Sequence, residues 1–198
     1  MAEANVNTLI AQGNKLFDNR SSLLSLYQEI AENFYPERAD FTAGRDISNG
    51  FFDHMTTGFP VKASRDLTNI ITTMLRPRDV PWFKATVKGF EDLDDEGKLW
   101  LERATTIMNN SFYSGRSGFA RATSETDADI TNIGQGVISC EYDWENTELL
   151  WRNWHVRDVV WQDDFRGRVS RVDRKWTEAT AEVLNKYFKG NVHENVKK

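Results

Sequence analysis

The dominant spacing of apolar residues changes near residue 134, and that change constrains the fold more than any other feature. Before it, apolar side chains recur every three or four positions, as on one stripe of a helix. After it, short β-branched and aromatic runs alternate with turns rich in Asp, Asn and Gly. Helices followed by a mostly antiparallel sheet predict an α+β fold.

Glycines and prolines predict where the individual elements lie. One or two helices are expected between Thr8 and Phe34, because Pro36 forces Tyr35 out of helical geometry. Further helices are expected over 61–75, from near 92 to about 110, and over 119–133, with a last amphipathic helix after Thr177. Strands are expected over 82–87, 137–144, 148–152, 156–161 and 168–176. We expect a single domain, 1–198, that is helical over 1–133 and sheet-rich over 134–198.

Composition excludes several classes of protein. The single cysteine, Cys140, allows neither an internal disulfide nor a cysteine-based zinc cage, and its position within an apolar strand predicts a packing role. No apolar run approaches the roughly 18 residues of a membrane-spanning helix, so no membrane partner is expected. Residues 1–7 lack the basic start and apolar stretch of a secretion signal, which predicts synthesis and assembly in the cytoplasm.

No set of residues points to catalysis or to a cofactor. The three histidines, His54, His155 and His193, lie in unrelated segments without zinc-ligand spacing. Asp127 and Asp129 lack the glycine and terminal Glu of a calcium loop and are interpreted as a solvated helix face. Neither a phosphate-binding loop nor a serine nucleophile elbow is present. We therefore expect no enzyme, metal or cofactor.

The basic residues near the C-terminus are the one candidate anion-binding feature. On a continuous strand, Arg166, Arg168 and Arg174 would share one face and Arg171 would lie on the other with Lys175. Such a face could follow a phosphate backbone, meet acidic residues of a neighbouring subunit, or simply be solvated. A free-standing nucleic-acid-binding module using residues 166–175 is therefore one functional hypothesis.

Charge and tryptophan content argue against a general nucleic-acid binder. Residues 1–150 hold 14 basic and 23 acidic side chains, whereas residues 151–198 hold 11 and 7, and the chain as a whole carries a net charge of −5. Five of its seven tryptophans fall between 144 and 176. We assign these to a sheet core or an oligomer interface.

A rigid corner is predicted between the second helical region and the first predicted strand. Pro77 and Pro81 flank a short charged link, and Trp82 and Phe83 follow directly. This arrangement favours a structural role, in which truncation of Trp82 damages folding rather than a specific activity.

Four segments in order carry a resemblance to a known family. They are Ile30–Phe41, Ala63–Leu67 continuing through Met74–Phe83, Asn132–Ile138, and Asp164–Thr177. The pattern Leu-x-Pro-x-x-x-Pro-Trp-Phe over residues 75–83 is the most specific of them. Together they resemble the head-to-tail connecting (portal) proteins of podovirus-type tailed bacteriophages.

The resemblance implies a structural role in the virion. Portal proteins form a ring, usually of twelve subunits, at one vertex of the capsid, and genome DNA passes through its channel during packaging and ejection. The terminase motor, the capsid and the tail proteins are the implied partners, and no catalytic residue or cofactor is implied. Family members are considerably longer than 198 residues, so we expect this chain to correspond to the N-terminal, wing-like part of a portal subunit.

Overall fold

The computed structural model describes residues 6–42, 55–77, 80–88 and 93–176. Its helices are α1 (Val6–Asp18), α2 (Ser21–Phe34), α3 (Phe59–Leu75), α4 (Asp95–Phe112) and α5 (Phe119–Ile133). Its strands are β1 (Val137–Asp143), β2 (Glu148–Trp154), β3 (Val159–Asp163) and β4 (Val169–Arg174), with short 3-10 turns at Pro36–Arg38 and Val156–Asp158. The expected α+β class is confirmed.

The chain divides into two compact units, residues 1–157 and 158–198. The first contains the five described helices and the β1–β2 hairpin, and the second contains the β3–β4 hairpin. The helix predicted after Thr177 lies outside the described residues. Whether the whole chain behaves as the single domain expected from the sequence stays a prediction.

Helix α5 is the element around which the first unit is arranged, since it packs against α2, α3, β1 and β2. Glycines bound it on both sides. Gly118 at its start has φ +67° and Gly134 at its end has φ +74°, a left-handed conformation that side chains with a Cβ rarely adopt. The two glycines therefore explain why the predicted range 119–133 is confirmed.

The apolar core beneath α2 is small. Tyr27, Ala31, Phe41 and Val156 are buried together, and the ring centroids of Tyr27 and Phe41 lie 5.6 Å apart in an edge-to-face arrangement. The Tyr27 hydroxyl donates a hydrogen bond of 2.9 Å to Gln135 Oε1. The core thus joins α2 to the segment after α5.

Each sheet is a single antiparallel hairpin. In the first, Val137 pairs with Trp154 at one end and Asp143 with Glu148 at the other. In the second, Val159 pairs with Arg174, and the register shifts between Gln162 and Asp163. Two-stranded sheets are marginally stable on their own, so each hairpin depends on packing beyond its own ladder.

The strand predicted over residues 82–87 is wrong, because these residues are extended but pair with no described strand. The Ala85 backbone N–H instead donates a hydrogen bond of 3.0 Å to Thr105 Oγ1 on α4. The aromatic residues that suggested a strand, Trp82 and Phe83, pack against other aromatic rings. Aromatic composition here reflects packing rather than a ladder.

Candidate functional site

Side chains from the segments that suggested a portal protein converge on α5. Arg38, from the first segment, and Arg76, from the second, form ion pairs with two α5 carboxylates, Asp129 and Asp127. Ser64, also from the second segment, donates a hydrogen bond of 2.7 Å to Asn132 in the third. The segments are far apart in sequence, but the fold brings them to one helix.

Asp129 is the most deeply buried charged group of this junction, with 1% of its surface exposed. Its Oδ2 atom accepts two hydrogen bonds of 2.9 Å, one from Arg38 Nη2 and one from Asn153 Nδ2 on β2. A buried carboxylate held in this way ties α5 to the chain after α2 and to the β1–β2 hairpin.

Asp127 lies on another side of α5, facing α3. Its Oδ2 accepts a hydrogen bond of 2.8 Å from Thr72 Oγ1 and pairs with the guanidinium of Arg76. The interpretation of Asp127 and Asp129 as a solvated helix face is therefore wrong. Because α5 is covered by helices and by a hairpin, residues only two positions apart are both buried.

A third buried carboxylate, Asp40, faces His155 and Arg157. Asp40 Oδ1 lies 2.6 Å from His155 Nε2, and Asp40 Oδ2 lies 3.4 Å from Arg157 Nη1. The Arg157 backbone N–H donates to His155 Nδ1 over 3.1 Å, which places the proton of a neutral ring on Nε2, toward Asp40. The ring of Phe41 packs edge-on against the imidazole. The cluster fixes the end of the segment that follows α2.

Burial raises the pKa of Asp129 above its ordinary value of 3.8, although Arg38 and Asn153 act in the opposite direction. Relative to the unfolded chain, the fold therefore favours proton binding by this carboxyl. Asp129 therefore contributes fully to the free energy of unfolding at a pH below the pKa that it has in the unfolded chain. This contribution is lost as pH rises through the higher pKa of the folded state.

We accordingly expect wild type to lose stability relative to Asp129→Asn as pH rises from about 4 through the folded pKa of Asp129. Urea unfolding of both proteins across a pH series measures this difference. The isosteric variant keeps the side-chain shape but cannot titrate. A difference that stays constant, or that grows in favour of wild type with rising pH, would contradict the assigned direction.

The predicted corner leads into an aromatic cluster on α4 and α5. Trp82 donates a hydrogen bond of 3.1 Å from Nε1 to the Tyr113 hydroxyl, and its ring lies parallel to that of Phe119 at 6.2 Å. Phe83 packs against Phe112, with ring centroids 5.4 Å apart. Pro77 and Pro81 flank the link that precedes these rings. Part of that link lies outside the described residues.

The basic residues do not form the strand face that their spacing suggested. Arg166 and Arg168 lie in the turn between β3 and β4, since Asp164 Oδ1 accepts hydrogen bonds from both of their backbone N–H groups. Only Arg171 and Arg174 are on β4. The expectation of three arginines on one strand face is therefore wrong, because a turn centred on Asp164 occupies that part of the sequence.

The two strand arginines make contacts within their own hairpin. Arg171 Nε lies 2.8 Å from Asp173 Oδ2, and the Arg174 guanidinium lies 3.9 Å above the ring of Trp176. Arg166, in the turn, lies 5.0 Å from the centre of the Phe165 ring. These contacts are local ion-pair and cation–π interactions rather than an open row of positive charge.

Cys140 is exposed, so the expected packing role is wrong. It lies on β1, in a sheet of two strands, and such a sheet leaves much of each strand without a covering layer. In the described ranges, no group of three or more His, Cys, Asp or Glu is arranged to hold a metal ion. No helix in those ranges is both long enough and apolar enough to cross a membrane.

Helix α3 packs inward mostly through small polar side chains, together with Val61. Ser64 and Thr68 are buried on the side that meets α5, whereas Leu67, Ile70 and Met74 are exposed on the other side, Met74 to 78%. These three residues, spaced by three and four positions, form a continuous apolar row that we call the α3 stripe. The sequence predicted this apolar face, and the structure shows that the described part of the chain leaves it uncovered.

Comparison with protein families matches residues 6–198 to the bacteriophage head to tail connecting proteins. The chain belongs to this family. The connector acts in the virion at the junction of head and tail, and associates with both. A search of curated proteins finds no match to the sequence.

Sequence reasoning missed the buried charges of this connector. Asp40, Asp127 and Asp129 are three of its most buried polar side chains, and none was singled out as structural. The sequence held no local signal for these pairs, since Arg38 directly follows Glu37 and Arg76 stands three residues before Asp79.

Proposed function

We propose that this connector is a portal subunit that assembles into a ring, of twelve copies as is usual in the family, at one vertex of the capsid. Terminase drives DNA inward through the ring, the tail attaches to it, and DNA later leaves through the same channel. The protein contributes structure and no catalytic step. The observation that carries the proposal is the exposed α3 stripe.

An uncovered apolar face on a helix is a stability and solubility cost to a monomer and an advantage to an assembly. Fully burying a Leu, Ile or Met side chain contributes roughly 1.5–3 kcal/mol. Leu67, Ile70 and Met74 lie on consecutive turns, so one partner surface covers all three. In a ring every subunit repeats this gain at each interface.

The charge distribution supports a channel through which DNA passes rather than a surface that binds DNA tightly. Residues 1–150 carry nine more acidic than basic side chains. Acidic surface repels the phosphate backbone and keeps a passing duplex from binding tightly. We therefore expect little DNA binding by the free protein at ordinary salt. A steep loss of strong binding with rising salt would support a nucleic-acid-binding module instead.

Introducing a charge into the stripe, by Ile70→Glu, is expected to abolish ring formation while leaving the fold intact. The side chain is exposed in the single subunit, so the carboxylate is solvated there and becomes buried only in the assembly. Electron microscopy and native mass spectrometry of the intact gene product give the readout. Circular dichroism confirms folding.

The matched control is Leu26→Glu, which places the same charge at a similarly exposed apolar position on α2. Rings are expected to persist in this variant. Monodisperse monomer from the wild-type gene product near physiological salt would refute the ring itself. Rings of normal yield from Ile70→Glu would show that the α3 stripe is not part of the interface.

A further inference from the structure

The end of the β1–β2 hairpin is acidic and carries an exposed aromatic ring. Residues 141–148 contain four carboxylates and no basic side chain, and we call them the acidic tip. Trp144 is 85% exposed, with its ring edge-on to that of Tyr142 at 4.7 Å. The Asp143 carboxylate accepts hydrogen bonds within the turn, whereas Glu141 and Glu145 are exposed to solvent.

The turn between β3 and β4 presents two arginines and the same kind of anchor, directly after Asp163 and Asp164. Residues 165–168 contain two arginines and no acid, and we call them the basic tip. Phe165 is 91% exposed, and Arg166 and Arg168 are exposed with it. Asp164 and the left-handed Gly167 fix the backbone of this turn, so the two guanidinium groups and the ring are presented from a defined loop.

We propose that the acidic tip of one subunit binds the basic tip of a second copy of this chain. The inference rests on the proposed ring and names one of its contacts. Carboxylates of one tip meet guanidinium groups of the other, and an arginine over the Trp144 ring adds a cation–π contact. Exposed aromatic residues and arginines are the residue types that dominate binding energy in interfaces.

A second copy is the favoured occupant because the chain carries both halves of the contact. Two different surfaces that bind each other produce a head-to-tail arrangement, and head-to-tail contacts close into rings when the rotation between subunits allows it. DNA fits the basic tip alone, since the acidic tip would repel it. Each tip also carries an aromatic ring, and the two rings would bury apolar surface in the middle of the contact, which charged groups alone do not provide.

Two charge-reversal variants of the intact gene product test the contact. Glu141→Lys/Glu145→Lys brings the net charge of the acidic tip from −4 to 0 and sets two lysines against the arginines of the basic tip, whereas Arg166→Glu/Arg168→Glu makes both tips acidic. Each variant alone is expected to need at least about tenfold more protein for half-maximal assembly, because like charges then face each other across the interface. Sedimentation velocity over a concentration series measures this. All substituted side chains are exposed, so melting curves should be unchanged.

Mixing the two variants in equal amounts is the decisive measurement. The substituted lysines of one variant then meet the substituted glutamates of the other, and the unaltered tips meet as in wild type. Assembly is therefore expected to return to the wild-type range in rings of alternating subunits, which an even number such as twelve permits. Raising the salt should weaken both the wild-type and the mixed assembly. The matched control, Asp18→Lys/Glu29→Lys, changes the net charge equally at exposed positions on α1 and α2 and is expected to assemble normally.

Each outcome separates this contact from the ring itself. Normal assembly by both reversed variants overturns the tip contact and leaves the ring proposal standing. Variants that fail alone and also fail in the mixture overturn a contact between copies. A wild-type protein that never assembles overturns both proposals. Lost DNA binding with normal rings in the acidic variant assigns the basic tip to DNA and overturns the inference.

Discussion

Asp129→Ala is expected to destabilise the first unit by about 3–5 kcal/mol, since it leaves the guanidinium of Arg38 and the amide of Asn153 without their shared acceptor. Breaking a buried pair from one side costs more than the pair contributes, because the remaining charge stays desolvated. Urea unfolding at neutral pH measures the loss. The matched control on the same helix is Glu125→Ala, which removes a surface pair with Arg121 and should cost roughly 0–1 kcal/mol.

A double variant separates the loss of pairing from the loss of packing. Arg38→Met/Asp129→Leu removes both charges and keeps most of the side-chain volume, and it should be clearly more stable than Asp129→Ala. If the double variant is as unstable as the sum of its single changes, then the pair acts through more than its uncompensated charge.

Phe119→Ala is expected to cost about 3–5 kcal/mol, because this ring is the centre of the aromatic cluster. Phe119 is 4% exposed, and its ring contacts those of Trp82, Phe112, Tyr113 and Trp151. Trp82→Ala should cost less, since Trp82 is only half-buried and the cluster persists without it. Thermal unfolding of both variants, with circular dichroism, gives the comparison.

The matched control for the aromatic cluster is Phe165→Ala, which removes the same side chain from an exposed turn and should leave the melting temperature unchanged. The order of effects is the test. A larger loss from Trp82→Ala than from Phe119→Ala would place the centre of the cluster at the proline corner.

The boundaries of the elements were predictable where a residue type forces them. Gly118 and Gly134 bound α5, and Pro36 stops α2, so helices were located to within a few residues. The structure of residues 82–87 was not predictable. An aromatic run has the same sequence pattern whether its backbone pairs with a strand or its rings pack in a cluster. Its true partner, Thr105, is a single hydroxyl on a distant helix.

The buried charges and the direction in which α3 faces depend on tertiary packing alone. Asp129 and its partner Arg38 are 91 residues apart, and Asp127 and Arg76 are 51 apart, so no local pattern separates these carboxylates from solvated ones. For α3 the sequence shows an apolar face but not which face meets α5. Small hydroxyl side chains allow close packing there, and the apolar face is left outward.

The long-range polar contacts of the first unit also govern the order of events during synthesis. Arg20 donates to the carbonyl oxygen of Val156 across 136 residues, and Arg157 donates to that of Asp40 across 117. At about 5–20 residues per second, a ribosome needs roughly 6 to 27 seconds to bridge such an interval. During that time the segment after α2 lacks the contacts that Val156 and Arg157 later supply. The nascent connector is therefore most open to misassembly before β2 and the residues after it emerge.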